Sequence, residues 1–211
     1  MEPPNKIEQP KLLLVEGADA HYFFIWACQA FGVNDVQVLD FGGISDLTAY
    51  LKTLPLLDGY EQVTAVAIAR DAENDPLSAV SSVQQSLRRA SLPIPNESFE
   101  FTGSSPQVAF MILPGFGTGA GPSQVLLQGT LEDLCLEILK DKSNLECVDS
   151  YIECLQSKGP GIKRLHKTKL HSCLAGKDDF VGLKIGEASK AGAWDWNHNR
   201  LDKFKAIITT M

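Results

Sequence analysis

The sequence predicts an α/β chain with a mostly parallel four-stranded sheet, helices on its faces and a helical C-terminal part. Three observations predict it. Short apolar runs alternate with segments of helical period, the connections between them are a few residues long, and after residue 130 the pattern is helical almost throughout. The 211 residues are 44% hydrophobic and 21% charged, which places the chain among folded globular proteins and excludes a disordered tract, a collagen or a coiled coil. That length suits one domain, or one domain with a small appendage.

Residues 1–10 are polar, hold three prolines and are expected to form a flexible tail. Lys11 to Val15 is a short continuous apolar run, as in a strand buried on both faces, and it ends in Glu16-Gly17. Asp19 can cap the helix that follows. Phe23, Phe24, Ala27, Ala30 and Phe31 recur at helical spacing before Gly32 stops it. Residues 36–39 form a second short strand, Gly42-Gly43 a turn, and Ser45 or Asp46 opens a helix toward Leu54. Residues 63–69 are rich in β-branched side chains and make a third strand, ending in Arg70-Asp71-Ala72-Glu73. Pro76 suits the first turn of a helix running to about Ala90. A polar loop over 92–106 leads to a fourth strand at 108–113.

After this strand, Gly115, Gly117, Gly119 and Gly121 alternate in a loop expected to act as a mobile flap. Its spacing matches neither a P-loop nor G-x-G-x-x-G, so no phosphate cradle is assigned to it. Leu131, Leu134, Cys135, Ile138 and Leu139 form an apolar helical stripe, and Thr130 with Asp133 makes a capping box. Further helix is expected over 147–156, 163–174 and 201–208. The organisation is therefore a tail at 1–10, an α/β core at 11–140, and a helical extension at 141–211 packed on that core.

The formal charge is −7, from 19 Lys+Arg and 26 Asp+Glu, which argues against a protein that coats DNA generically. No apolar run reaches the roughly 18–20 residues of a membrane helix, and the first residues lack a signal-peptide pattern. A cytoplasmic protein without membrane contact is expected. Its five cysteines, with no C-x-x-C spacing, are then reduced thiols, most of them packed as small apolar groups.

In an open parallel sheet, ligands bind outside the carboxyl ends of the strands. Glu16 closes the first strand, and Asp71 with Glu73 follows the third. If those strands are neighbours, three carboxylates converge, and their repulsion makes sense around a hard divalent cation such as Mg²⁺. Acids after strands also cap helices, so Asp19, Asp71 and Glu73 have that second reading.

Leu13-Leu14-Val15-Glu16-Gly17, followed by a helix and a strand ending in Asp71-Ala72-Glu73, resembles the toprim domain of topoisomerases, primases and overcoming-lysogenization-defect nucleases. Phe41-Gly42-Gly43, Ile112-Leu113-Pro114, the segment Gly129 to Leu136 and Trp194-Asp195-Trp196 extend the likeness. They resemble stand-alone bacterial toprim-like proteins of uncharacterised function over about residues 12–209. The resemblance implies a toprim-like fold and Mg²⁺ or Mn²⁺ as cofactor. Glu16 takes the place of a metal ligand or general acid/base, and Asp71 that of a metal ligand. Glu73 stands where the family has a second Asp, one methylene shorter. Glu132 and Asp133 resemble an acidic pair that holds a second metal; the alternative is that both only meet the dipole of their helix. Two ions about 3.5–4 Å apart can clamp a phosphodiester.

Between Glu153 and Asp178 there is no acid, while Lys163, Arg164, Lys167 and Lys169 cluster there as a nucleic-acid-binding candidate or a solvated helix face. By resemblance, Lys167 or Lys169 supplies the lysine that neutralises phosphate. His166 and His171, five apart, make a poor metal pair. Trp194 and Trp196 either anchor the C-terminal segment or stack on bases. The resulting function classes are a Mg²⁺-dependent nuclease on DNA or RNA, and a non-catalytic toprim-like module that binds a metal, nucleotide or phosphate and acts through a partner protein. The length excludes the strand-passage domains of a topoisomerase.

Overall fold

The computed structural model describes residues 6–43, 45–117, 125–159 and 161–211. Strands β1 (Lys11–Val15), β2 (Val36–Asp40), β3 (Ala65–Asp71) and β4 (Gln107–Leu113) form one sheet in the order β2-β1-β3-β4, with every neighbouring pair parallel. Helices α1 (Gly17–Ala30), α2 (Leu47–Thr53) and α3 (Pro76–Arg89) are the crossovers. Then come α4 (Leu131–Ile138), α5 (Leu145–Lys158), α6 (Leu165–Ala175), α7 (Ile185–Lys190) and α8 (Asp202–Thr210). The α/β class, the four strands and the helical C-terminal part are as the sequence predicts.

The two-residue period of the strands divides the core. Leu13, Val15, Ala67, Ala69, Ala109 and Met111 join one cluster with Phe23 and Phe24 of α1, the C-terminal helices and the fully buried Trp194. Leu12, Leu14, Val66, Ile68, Phe110 and Ile112 join the other with Leu47 and Leu51 of α2 and Val83 and Leu87 of α3. The alternation of small and large residues in Ala65-Val66-Ala67-Ile68-Ala69 thus has a packing role: the alanine face leaves room for the aromatic layer. The helices of 141–211 share this cluster with the sheet.

The chain steps from β1 to β2 in one direction, then from β2 past β1 to β3 and β4 in the other. A single crossover hand requires opposite faces for the two directions, which is where α1 lies relative to α2 and α3. The connections therefore part between β1 and β3, and a crevice opens at their carboxyl ends.

Local chemistry sets the helix starts. Asp75 caps α3 through Leu77 and Ser78 N–H, both at 3.0 Å, with Pro76 in the first turn. Thr130 and Asp133 form the expected capping box on α4: Asp133 Oδ2 accepts from Thr130 N–H at 2.8 Å and from its hydroxyl at 3.1 Å. The cap expected from Asp19 on α1 is absent; Gly17 N–H instead donates to Asp40 Oδ1 at the end of β2, at 2.9 Å. The helix starts two residues before Asp19, with Glu16 in the N-cap position, so Asp19 lies inside the first turn rather than ahead of it.

The expected flexible tail is corrected where it is described. Ile7 is fully buried and its N–H donates to Asp58 carbonyl at 2.7 Å, because the second core needs a cover below β1. Residues 1–5 lie outside the described residues, as do 118–124, the larger part of the glycine-rich loop. Gly115–Gly117 pairs back onto 125–127 through Gly117 N–H to Val125 carbonyl and Leu127 N–H to Gly115 carbonyl. Cys28, Cys135 and Cys173 are buried; Cys147 and Cys154 are exposed on α5. Trp194 donates its ring N–H to Ser189 Oγ at 2.7 Å, and Trp196 packs against Phe23 and Phe31, so both anchor the C-terminal segment. No helix among the described residues is long and apolar enough to cross a membrane.

Candidate functional site

Glu16 follows β1 and Asp71 ends β3, and the pairing of Val15 with Ala69 puts both at the same rim of the sheet. Glu73 adopts a left-handed backbone (φ 54°), and its N–H and carbonyl bridge the carbonyl and N–H of Gly129, both at 2.8 Å. That bridge docks the start of α4 against the end of β3. Leu131 N–H then donates to Asp71 Oδ1 at 2.9 Å, and the next residue, Glu132, turns into the same space.

The result is a cleft of about 880 Å³ whose lining includes Glu16, Asp71, Glu132 and Lys167. Glu132 is only 3% exposed, and its carboxylate meets Lys167 Nζ at 2.9 Å. Burial pulls the Glu132 carboxyl up, but the bonds from Lys167 and Thr130 outweigh it and hold it below the usual range. The same ion pair raises Lys167 against its own desolvation. Glu16 faces Arg70, with Oε2 3.7 Å from Nε; burial lowers Arg70, and Glu16, Asp71 and Glu73 oppose that.

Asp71 is the exception. Burial first, then the Glu132 and Glu16 charges, push its carboxyl up to about 8, and the bond from Leu131 N–H does not compensate. A carboxylate in that condition calls for a cation or a proton. The donor chemistry suits a hard divalent ion, with oxygen ligands from three elements. Among the described residues, no three His, Cys, Asp or Glu side chains are already gathered as a metal cage, and Glu16 and Glu132 are engaged by Arg70 and Lys167.

The structure separates the candidates. Lys167 enters the cleft, whereas Lys169 points to α5 and pairs with Asp149 at 2.6 Å. Adjacent-but-one residues on a helix face different ways, so only Lys167 of the two lines the cleft. Asp133 does not join the acidic group because its carboxylate is spent on the capping box. Glu73 is exposed and not among the cleft-lining residues; its charge reaches Arg70 and Asp71, and its backbone makes the bridge to Gly129. Lys163 and Arg164 are exposed just before α6, outside the cleft lining. His171, one turn beyond Lys167, does line it.

Several lining residues carried no functional signal in the sequence reading. Tyr22 and Trp26 lie off the buried stripe of α1, so a helical projection of that segment marks them as outward-facing. Lys184 and Lys190 come from α7 and the residue before it, and only the packing of α7 on α1 brings them in. At that contact a Cβ on Gly186 would lie 2.3 Å from Tyr22 Cβ, so the glycine permits the approach.

No curated protein and no solved structure gives a significant match to this chain. A family described as protein of unknown function, DUF3226, matches residues 10–211. With the sheet, the rim acids and the eight α-helices of the described residues inside that match, the chain belongs to the DUF3226 family.

Proposed function

We propose that this protein is a toprim-like, divalent-metal-dependent phosphodiesterase acting on nucleic acid. One observation carries the reading: Glu16, Asp71 and Glu132, from three separate elements, share one cleft with Lys167 at the switch point of a parallel sheet. The toprim resemblance of the Glu16 and Asp71 motifs supports it independently.

Asp71, with Glu16 and Glu132, would hold Mg²⁺ or Mn²⁺, which when bound supplies Lewis-acid stabilisation of charge on phosphate oxygens. Lys167 binds the phosphate as a point charge once it exchanges its carboxylate partner for the substrate. Glu16, on the rim and facing Arg70 at 3.7 Å, accepts the proton of the attacking water. Burial of Glu132 in the cleft floor limits its contact with bulk water.

Nicking of a supercoiled plasmid, or cleavage of a labelled strand, in millimolar Mg²⁺ or Mn²⁺ tests the reading. Activity in the wild type that is lost in Glu16→Gln and in Asp71→Asn is expected. Equal activity in the variants would point to a contaminant and refute it.

A second reading is favoured by the internal partners of Glu16 and Glu132: a non-catalytic module that binds metal, nucleotide or phosphate and works through a partner protein. Calorimetry with Mg²⁺ and Mn²⁺ separates the two. Metal binding without turnover supports the module, and no metal binding removes the hydrolase and the metal-binding form of the module.

A further inference from the structure

We infer that the cleft takes an unpaired nucleotide, with its base laid on the Tyr22–Trp26 wall of α1 and its phosphate among the lysines. The phosphate half of this assignment rests on the proposed function; the base half rests on the wall itself.

Tyr22 and Trp26 are four residues apart on α1, hence on one helix face, and both line the cleft. Their neighbours Phe23 and Phe24 are almost fully buried, whereas Tyr22 is 49% exposed and Trp26 half-buried. The helix thus sends two aromatic rings to the solvent side of a concave site, although its core face is already filled by others. Tyr22 is also held in place. Gly186 presses on its Cβ from α7, and the His21 ring meets its ring edge-on at 5.1 Å. A pre-set ring loses little freedom when a flat partner arrives.

The rest of the cleft fits the other parts of a nucleotide. Lys167, Lys184 and Lys190 line it beside the carboxylates of Glu16, Asp71 and Glu132 at the sheet rim and of Asp19 and Glu187 on α1 and α7, so a phosphate meets the lysine side of the cleft. A volume of about 880 Å³ is in the range of clefts that bind small molecules. It accommodates one or two nucleotides rather than a duplex, whose bases are already stacked on both sides. An aromatic platform beside cationic groups is the device that single-strand binders use, and it tolerates any base. The shared chemistry is a nucleoside phosphate, supplied either by a single strand or by a free nucleotide.

The test is binding of a fluorescently labelled twelve-residue oligo-dA to the full chain in EDTA, so that no turnover is required. Base–aromatic stacking contributes about 1–3 kcal/mol per base, so Tyr22→Ala is expected to weaken binding about 5- to 140-fold. Tyr22→Phe, which keeps the ring, is expected to bind within about twofold of wild type by the same reasoning. Tyr22→Ala retains the Cβ that touches Gly186, and circular dichroism checks that it folds. Quenching of indole fluorescence by the strand, lost in Trp26→Phe, places the base on that wall. Competition by dAMP at similar concentration assigns the site to a free nucleotide, and its failure assigns it to a strand; either keeps the base on the wall. Unchanged binding in Tyr22→Ala, or equal binding of a duplex of the same length, overturns the inference. A stacking-dependent wild type that never cleaves the strand in Mg²⁺ leaves the inference standing and removes the hydrolase reading. Cleavage by wild type and Tyr22→Ala alike does the reverse.

Discussion

Replacing Asp71 with asparagine tests whether burial and the neighbouring carboxylates make an ionised Asp71 costly at the rim. In the folded protein its carboxyl is raised from the ordinary 3.8 to about 8. The native state therefore keeps a proton that the unfolded chain has already released between those two values. Stability must fall as pH rises through that interval, being fully present below about 4 and lost once Asp71 ionises near 8. From 3.8 to pH 7 is about three pH units at about 1.4 kcal/mol each, an upper bound of about 4 kcal/mol. Asparagine pays nothing for ionisation and its Oδ1 can still accept from Leu131 N–H. Asp71→Asn is thus expected to be more stable than wild type at pH 7. Half the bound, about 2 kcal/mol, would raise the melting temperature by about 4–8 °C in a chain of this size. Urea unfolding in EDTA at pH 4, 6 and 8 reads the gap directly, and the gap should close toward pH 4. Millimolar Mg²⁺ is expected to stabilise the wild type and leave the variant unchanged. A variant less stable than wild type at pH 7, or a gap of equal size at pH 4 and 8, would refute the reasoning.

Lys167→Met leaves Glu132 buried without its 2.9 Å partner; because the lysine is 41% exposed, the expected loss is about 1–3 kcal/mol, below that of a fully buried pair, and adding Glu132→Gln recovers most of it in chemical denaturation. Asp133→Ala removes the α4 capping box and is expected to cost about 1 kcal/mol while metal binding by calorimetry stays unchanged, which separates it from Glu132. Ser189→Ala orphans the buried Trp194 ring N–H and is expected to lower stability by about 1–3 kcal/mol, with a shifted tryptophan emission as the spectroscopic sign.

Much of the fold was legible because its signals are local. The apolar runs at 11–15 and 65–69, Pro76 after Asp75, and the Thr130–Asp133 box each involve residues within a turn or a strand of one another. The α7 segment was missed since six residues with little apolar pattern carry no period, and Ile7 was missed since its burial is a contact with Asp58, far along the chain. Of the candidate site, Glu16 and Asp71 were legible from their places at strand ends. The roles of Glu73 and Asp133 were not, because the backbone of the first bridges Gly129 and the carboxylate of the second closes a cap.

By itself, the sequence determined the four strands and the helices other than α7, and that acids stand at the carboxyl ends of β1 and β3, since periodicity and strand termini are properties of neighbouring residues. Only the tertiary structure decided that β1 and β3 are adjacent, that Glu132 and Lys167 rather than Asp133 and Lys169 complete the cleft, and that Tyr22, Trp26 and α7 wall it. Those choices depend on strand order and on the rotation of helices about their axes, which are set by packing between segments distant in the chain.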